Sequence, residues 1–157
     1  MKTTRRTRKK LYHPEKYYRG LTLKQKRARK LEIEKYGSLS WSNKKAYVGF
    51  KTDKGILTRS SSYTASWRKL FPNATSLEAK SAATGVPLEF INASYARGMA
   101  AWRTGHRPGA TQQQWGYARV HSFLLCGKTY ETTDADLAAD AKRVSASARR
   151  WWLSQKC

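Results

Sequence analysis

YARGMAAWRTGHRPGATQQQWGYARVHSF, residues 95–123, decides how the rest of the chain is read. Ala96, Met99, Ala100 and Arg103 recur at the spacing of one helix face. Gly105-His106-Arg107-Pro108-Gly109 then breaks that helix, because proline has no amide to donate and glycine reaches positive φ. Thr111 and Gln114 form a Thr-x-x-Gln capping box that starts a second helix at once. Trp115, Ala118, Arg119, Ser122 and Phe123 share a stripe along it. Two helices joined by so short an elbow must lie against each other, so Trp102, Trp115 and Phe123 are expected in one shared core.

The same stretch carries a resemblance. ARGMAAWRTGHRPGATQQQWGYARVHSF and the later GKTYETTDADL resemble an uncharacterised domain shared by large double-stranded DNA viruses of algae and by tailed phages. The resemblance covers roughly residues 76–140, and its Trp-Arg-x-Gly-His-Arg-Pro-Gly core is its most specific part. It implies a viral context, with no reaction and no catalytic residue attached. On that basis a chlorovirus-like minor capsid protein is expected, located in the virion and made in the host cytoplasm.

Outward from this centre, charge dominates. The chain of 157 residues has 32 Lys and Arg against 10 Asp and Glu, a net charge of +22. Residues 1–60 hold 19 of the cations and 4 of the carboxylates, so the front half is the electrostatic half. Such an excess repels itself in a compact state and suits a polyanion or an acidic protein surface.

MKTTRRTRKK, with Arg5, Arg6, Arg8, Lys9 and Lys10, buries nothing that would offset its ordering entropy, and reads as an extended contact arm. Tyr12, Tyr17 and Tyr18, near Arg19, interleave rings with cations, which suits stacking on bases or docking in a protein groove. Thr22-x-x-Gln25 starts a helix that runs to about Tyr36 and stops at Gly37. Its stripe of Leu23, Arg27, Lys30, Leu31 and Glu34 is narrow, and Lys26 and Arg29 add charge, so a partner is expected to help order it. The period then changes to two at Tyr47, Val48 and Phe50. Asp53-Lys54-Gly55 before Ile56-Leu57-Thr58 predicts a small β-hairpin.

Beyond it, Tyr63–Phe71 reads as a short amphipathic helix closed by Pro72. Thr75-x-x-Glu78 predicts a capping box, and Ser81 to Gly85 followed by Ile91 has the spacing of a helix-turn-helix. That corner reads weakly as a DNA reader, since Glu89, Asn92 and Ser94 occupy the outward face of its second helix. A last helix is expected from Thr133 and the acidic Asp134 and Asp136, which look like caps at its start, to the basic Arg149 and Arg150. Adjacent Trp151 and Trp152 cannot both face one core, so one must meet a partner or a neighbouring segment.

The expected architecture is mainly α (α+β): a compact helical domain with a helix-turn-helix-like corner, one small β-hairpin and an extended basic N-terminal arm. Residues 1–40 form the arm and its helix, 41–72 the hairpin and short helix, and 73–157 the helical domain with the virus-like motif. Cys126 and Cys157 set no disulfide framework, which points to a reducing site of assembly. His13, His106 and His121 lack metal-ligand spacing, and clustered carboxylates for Mg²⁺ are missing. His106, next to Arg107, is expected to stay neutral within a structural elbow. No enzyme activity, cofactor, metal or small-molecule substrate is therefore expected.

The expected partners are major and minor capsid proteins, with viral DNA or an anionic inner membrane surface as further targets of the basic residues. Contacts are assigned to the arm residues named above, to Arg97, Arg103, His106, Arg107 and Arg119 at the elbow, and to Arg149 and Arg150. The alternative function is a sequence-nonspecific nucleic-acid-binding protein that packages viral DNA.

Overall fold

Thr22 Oγ1 accepts from the Gln25 amide while the Gln25 side chain accepts from the Thr22 amide, and this reciprocal cap opens helix α1, Leu23–Gly37. The same box at Thr111 and Gln114 opens α5, Gln112–Leu124. Between them lie α2 (Ser62–Leu70), α3 (Leu77–Thr84) and α4 (Leu88–Trp102); α6 (Lys128–Glu131), α7 (Ala135–Val144) and α8 (Ala146–Ser154) follow. The computed structural model describes residues 14–40 and 42–157. The expected contacts at Arg5, Arg6, Arg8, Lys9, Lys10 and Tyr12, and the extended arm they form, lie outside the described residues.

The pair α4–α5 is the spine. They come close at Gly98 and Gly116, where a Cβ on Gly98 would stand 2.8 Å from the Gly116 Cα. Tyr95 and Met99 close over Gly116 from the α4 side. This crossing divides the aromatics of residues 95–123 into separate environments and corrects the expectation of one shared core. Phe123 is fully buried in a cluster with Trp67, Ile91, Val120, Leu124 and Trp152. Trp102 is buried elsewhere, tilted against Phe50 at 5.8 Å and stacked on His106 at 4.3 Å. Trp115 is half-buried and faces Tyr17 at 6.3 Å.

No strand occurs among the described residues, and the β-hairpin is replaced by two single 3-10 turns, Lys44–Tyr47 and Lys51–Asp53. The physical cause is competition for donors from a distant acid. Glu32 on α1 accepts from the amides of Lys51 (2.7 Å) and Thr52 (3.3 Å), which takes donors a strand ladder would have used. Phe50 goes inward, stacked on Tyr36 at 5.2 Å.

Helix α1 is docked, which corrects its inclusion in the extended arm. Its buried residues are Arg29 and Ile33. The stripe of Leu23 and Leu31 points outward, leaving the two side chains 68% and 65% exposed. Residues 14–21 are packed as well. A Cβ on Gly105 would meet the Tyr17 ring at 2.6 Å, and Leu21 is buried.

The corner between α3 and α4 turns at Gly85, in the left-handed region at φ 78°. Ser76, not Thr75, caps α3 by accepting from the Ala79 amide. Helix α8 covers the corner, with Ser147 Oγ donating to the Gly85 carbonyl at 2.5 Å. The expected single last helix is interrupted at Ser145, whose extended backbone separates α7 from α8 and whose hydroxyl caps α8. Trp152 enters the core while Trp151 lies 5.8 Å from Phe71, just past α2, and donates to the Leu124 carbonyl at the end of α5, so it meets neighbouring segments. Cys126 and Cys157 are paired as a disulfide with Cα atoms 5.8 Å apart, a correction to the reading of two unconnected thiols. The spacing of 31 residues hid the pair because no pattern in sequence announces that α8 returns to the end of α5.

Candidate functional site

Three polar assemblies stand out, two closed and one open. The first closes the elbow. Asp53 Oδ2 lies 2.6 Å from His106 Nε2, and Asp53 Oδ1 accepts from Arg29 (2.6 Å) and from the Gly109 amide (3.0 Å). His106 Nδ1 lies 2.9 Å from the Trp102 carbonyl, so both ring nitrogens face acceptors. Arg29 also donates to Thr52 Oγ1 at 3.0 Å and to the His106 carbonyl, and its guanidinium lies 4.8 Å from the Phe50 ring centre. Burial works to raise the Asp53 carboxyl, but hydrogen bonding and charge from His106, with Gly109 and Arg29, outweigh it and leave the group below the usual carboxylate range. Arg29 and His106 are 0% exposed, so neither side chain is available to a partner. Their contact assignments are corrected on that ground: both are internal ties between α1, the Lys51–Asp53 turn and the elbow.

The second assembly fastens α4, α5 and α7. Asp134, buried at 0% exposure, takes a two-pronged contact from Arg119 (2.7 and 3.1 Å) and a hydroxyl from Ser94 (2.7 Å). Arg97 reaches Asp134 at 3.3 Å and pairs with Asp136 at 2.7 and 2.8 Å. Asp134, expected at the acidic start of the last helix, makes no side-chain cap bond and serves the arginines instead. Arg103 similarly spends its charge internally, donating to the carbonyls of Leu39 (2.8 Å) and Gly37 (3.4 Å) at the end of α1.

The third is a groove of about 960 Å³ between α2, α5 and the segment around Lys16 and Tyr17. Seven cations line it and no carboxylate does. Arg107, Arg119 and Tyr17 from the expected contact set border it; Lys16, Arg59, Arg68, Lys80 and Lys128 were missed. At its floor Lys80 is 2% exposed and makes no ion pair; its ammonium donates to the carbonyls of Ala74 (2.7 Å) and Thr75 (3.2 Å). The same ammonium lies 5.3 Å from the ring centres of both Trp67 and Tyr117. Burial first, then the charge of Arg68, brings Lys80 down to about 8.

His121 lies beside it, stacked on Trp67 at 5.6 Å and 4% exposed. Its Nδ1 lies 2.8 Å from Thr64 Oγ1, while Nε2 is buried with no hydrogen-bond partner. Burial, then the charges of Lys80 and Arg68, hold the ring down to about 3, so it is neutral near pH 7. No spacing rule joins Lys80, His121 and Arg68 in sequence. The small residues around Lys80 and the regular period of α5 gave no sign that these groups converge.

The remaining expected contacts sit on the surface. Arg19, Lys26, Lys30, Arg149 and Arg150 are exposed, and Arg149 donates to the Lys142 carbonyl at 2.5 Å. Tyr18 is half-buried, and burial raises its hydroxyl above the usual range. Among the described residues no cluster of three or more His, Cys, Asp or Glu side chains could hold a metal ion, and no helix is long and apolar enough to cross a membrane.

A family model described as "Family of unknown function (DUF5824)" matches residues 14–142. Neither a curated protein nor a solved structure matches the chain.

Proposed function

We propose a structural role for this chain, which belongs to the family of unknown function DUF5824: a minor, cementing capsid protein of a large double-stranded DNA virus, seated among neighbouring shell subunits. The observation that carries the reading is the outward face of α1. Leu23 and Leu31 are each about two-thirds exposed on a helix already tied down by Arg29 and Ile33, with Lys24, Lys26, Arg27 and Lys30 around them. An apolar stripe framed by cations on a fixed helix fits an acidic-rimmed protein surface, where apolar anchors supply affinity and charge supplies orientation. Val48 (69% exposed) and Leu57 (99% exposed) are further exposed apolar side chains in the same half of the sequence. The resemblance of residues 95–123 to the viral domain supports the setting.

The test is a Leu23→Lys, Leu31→Lys variant co-expressed with the shell proteins. Both positions are exposed, so the fold should survive, and the variant should be lost from purified particles. Normal incorporation would end the capsid assignment.

A second reading has its own observation. The cation-lined groove without a carboxylate favours a sequence-nonspecific nucleic-acid-binding protein, since phosphate neutralisation supplies most nonspecific affinity. Retention of viral DNA by the chain, falling steeply as salt rises, is the measurement that would favour it.

A further inference from the structure

Lys80 and His121 make an unbalanced site. A buried ammonium is normally paired, and leaving it unpaired is costly. Here it has carbonyls and two aromatic rings for company, and its field and that of Arg68 help keep His121 neutral. The buried Nε2 of His121 adds a second unmet need. Everything charged around the groove has the same sign, with Lys16, Arg59, Arg107 and Lys128 at its border. The first turn of α2, from Ser61 to Thr64, opens onto it, adding hydroxyls and the positive end of a nine-residue helix. An anion entering here meets preorganised donors and pays little to order them.

The lining also offers rings. Trp115 is half-buried, with Tyr17 at 6.3 Å and the Lys16 ammonium 5.8 Å from its centre. Cations alternating with ring faces in a concavity of about 960 Å³ match a few units of a flexible polyanion that carries planar groups. A duplex keeps its base faces stacked inside and cannot present them to Trp115. The chain's own N-terminal residues, rich in Arg and Lys, carry the same sign of charge as the groove and so offer it no complementary partner.

We propose that this groove binds single-stranded nucleic acid, with backbone phosphates on Lys80, Arg68 and the bordering cations and a base stacked on Trp115. The site is distinct from the arm, and the proposal rests on the nucleic-acid reading rather than the capsid one.

The test uses the full chain and a short labelled oligothymidylate. A groove variant, Arg59→Ser, Arg68→Ser, Lys128→Ser, changes exposed side chains only and should keep the native circular dichroism. An arm variant, Arg5→Ser, Arg6→Ser, Arg8→Ser, removes the same charge. The groove variant should lose roughly tenfold or more in affinity, the scale of several phosphate contacts. It should also abolish the quenching of tryptophan emission that the oligonucleotide causes in the native chain. Trp115→Phe should abolish that quenching too, and the arm variant should keep it.

Binding should move the His121 ring signals and raise the pH at which that ring takes up a proton. Tight binding that the arm variant loses and the groove variant keeps would overturn the groove site while leaving the nucleic-acid reading standing. No binding by the native chain would end both. Inorganic phosphate that shifts His121 as fully as the oligonucleotide does, with no quenching of Trp115 by either, would reduce the site to a free-phosphate pocket. A poly-glutamate peptide that displaces the strand at equal concentration would reassign the groove to acidic protein.

Discussion

Asp53 and His106 meet at 2.6 Å across a separation of 53 residues, and this contact, with Arg29, is what holds the front of the chain to the elbow. The sequence between them contains α2, α3 and α4, so the contact joins segments that lie three helices apart in the chain.

Asp53→Ala removes the acceptor shared by Arg29, His106 and the Gly109 amide. Leaving a buried guanidinium without its partner should cost about 3–5 kcal/mol in urea unfolding. A loss below about 1 kcal/mol would show that the elbow is held by Phe50 and Trp102 alone.

Asp134 and Asp136 both pair with Arg97, yet they should behave differently. Asp134 is fully buried under Arg119 and Ser94, and Asp134→Ala should cost about 3–5 kcal/mol. Asp136 is exposed, and Asp136→Ala should change stability by less than about 1 kcal/mol. Equal losses, read from thermal unfolding of the two variants, would contradict the burial difference.

Gly98→Ala inserts a methyl group 2.8 Å from the Gly116 Cα at the α4–α5 crossing. Backbone cannot yield there as a flexible side chain would, so the helices must separate. A cost of about 1–3 kcal/mol is expected, with the emission of Trp102 and Trp115 altered. A variant as stable as the native chain would mean the helices cross farther apart.

Stability should fall on acidification. The unfolded chain protonates His121 near 6.5, and the folded chain resists until about 3, so protons favour unfolding throughout that window. The neutral-ring advantage is whole above 6.5 and is lost progressively below it, on the order of 5 kcal/mol when fully expressed. Asp53, lowered in the fold, adds a loss in the same direction below the ordinary carboxylate value of 3.8. His121→Gln should flatten the decline of the melting temperature between about pH 6 and 4. An unchanged slope would assign the acid sensitivity to other groups.

What the sequence made legible was local. Both Thr-x-x-Gln boxes cap the helices they were expected to cap, and Gly37 and Gly85 end α1 and α3. These are short-range devices, complete within four residues, so tertiary structure had little to override. The hairpin failed because a remote acid, Glu32, captured amides that local alternation assigned to a strand. The arginines failed in a related way. Arg29 sits in a run of cations and looks like its neighbours; burial singles it out, and burial depended on Asp53 arriving from 24 residues away. Lys80 and His121 were hidden for the same reason, since a site built by convergence of α2, α3 and α5 has no spacing to detect.

The anchoring of α1 by Arg29 and Ile33 has a kinetic corollary. Helix α1 is held by Arg29, Ile33, the Glu32 and Arg103 hydrogen bonds and the Tyr36–Phe50 stack, none of which belongs to the Trp67–Phe123–Trp152 core, so it can open as a unit while that core stays shut. Amide protons along α1 would then exchange with solvent through partial openings well before those of α5. Such an opening would make α1 a clasp at the front of the chain, released without disturbing the core.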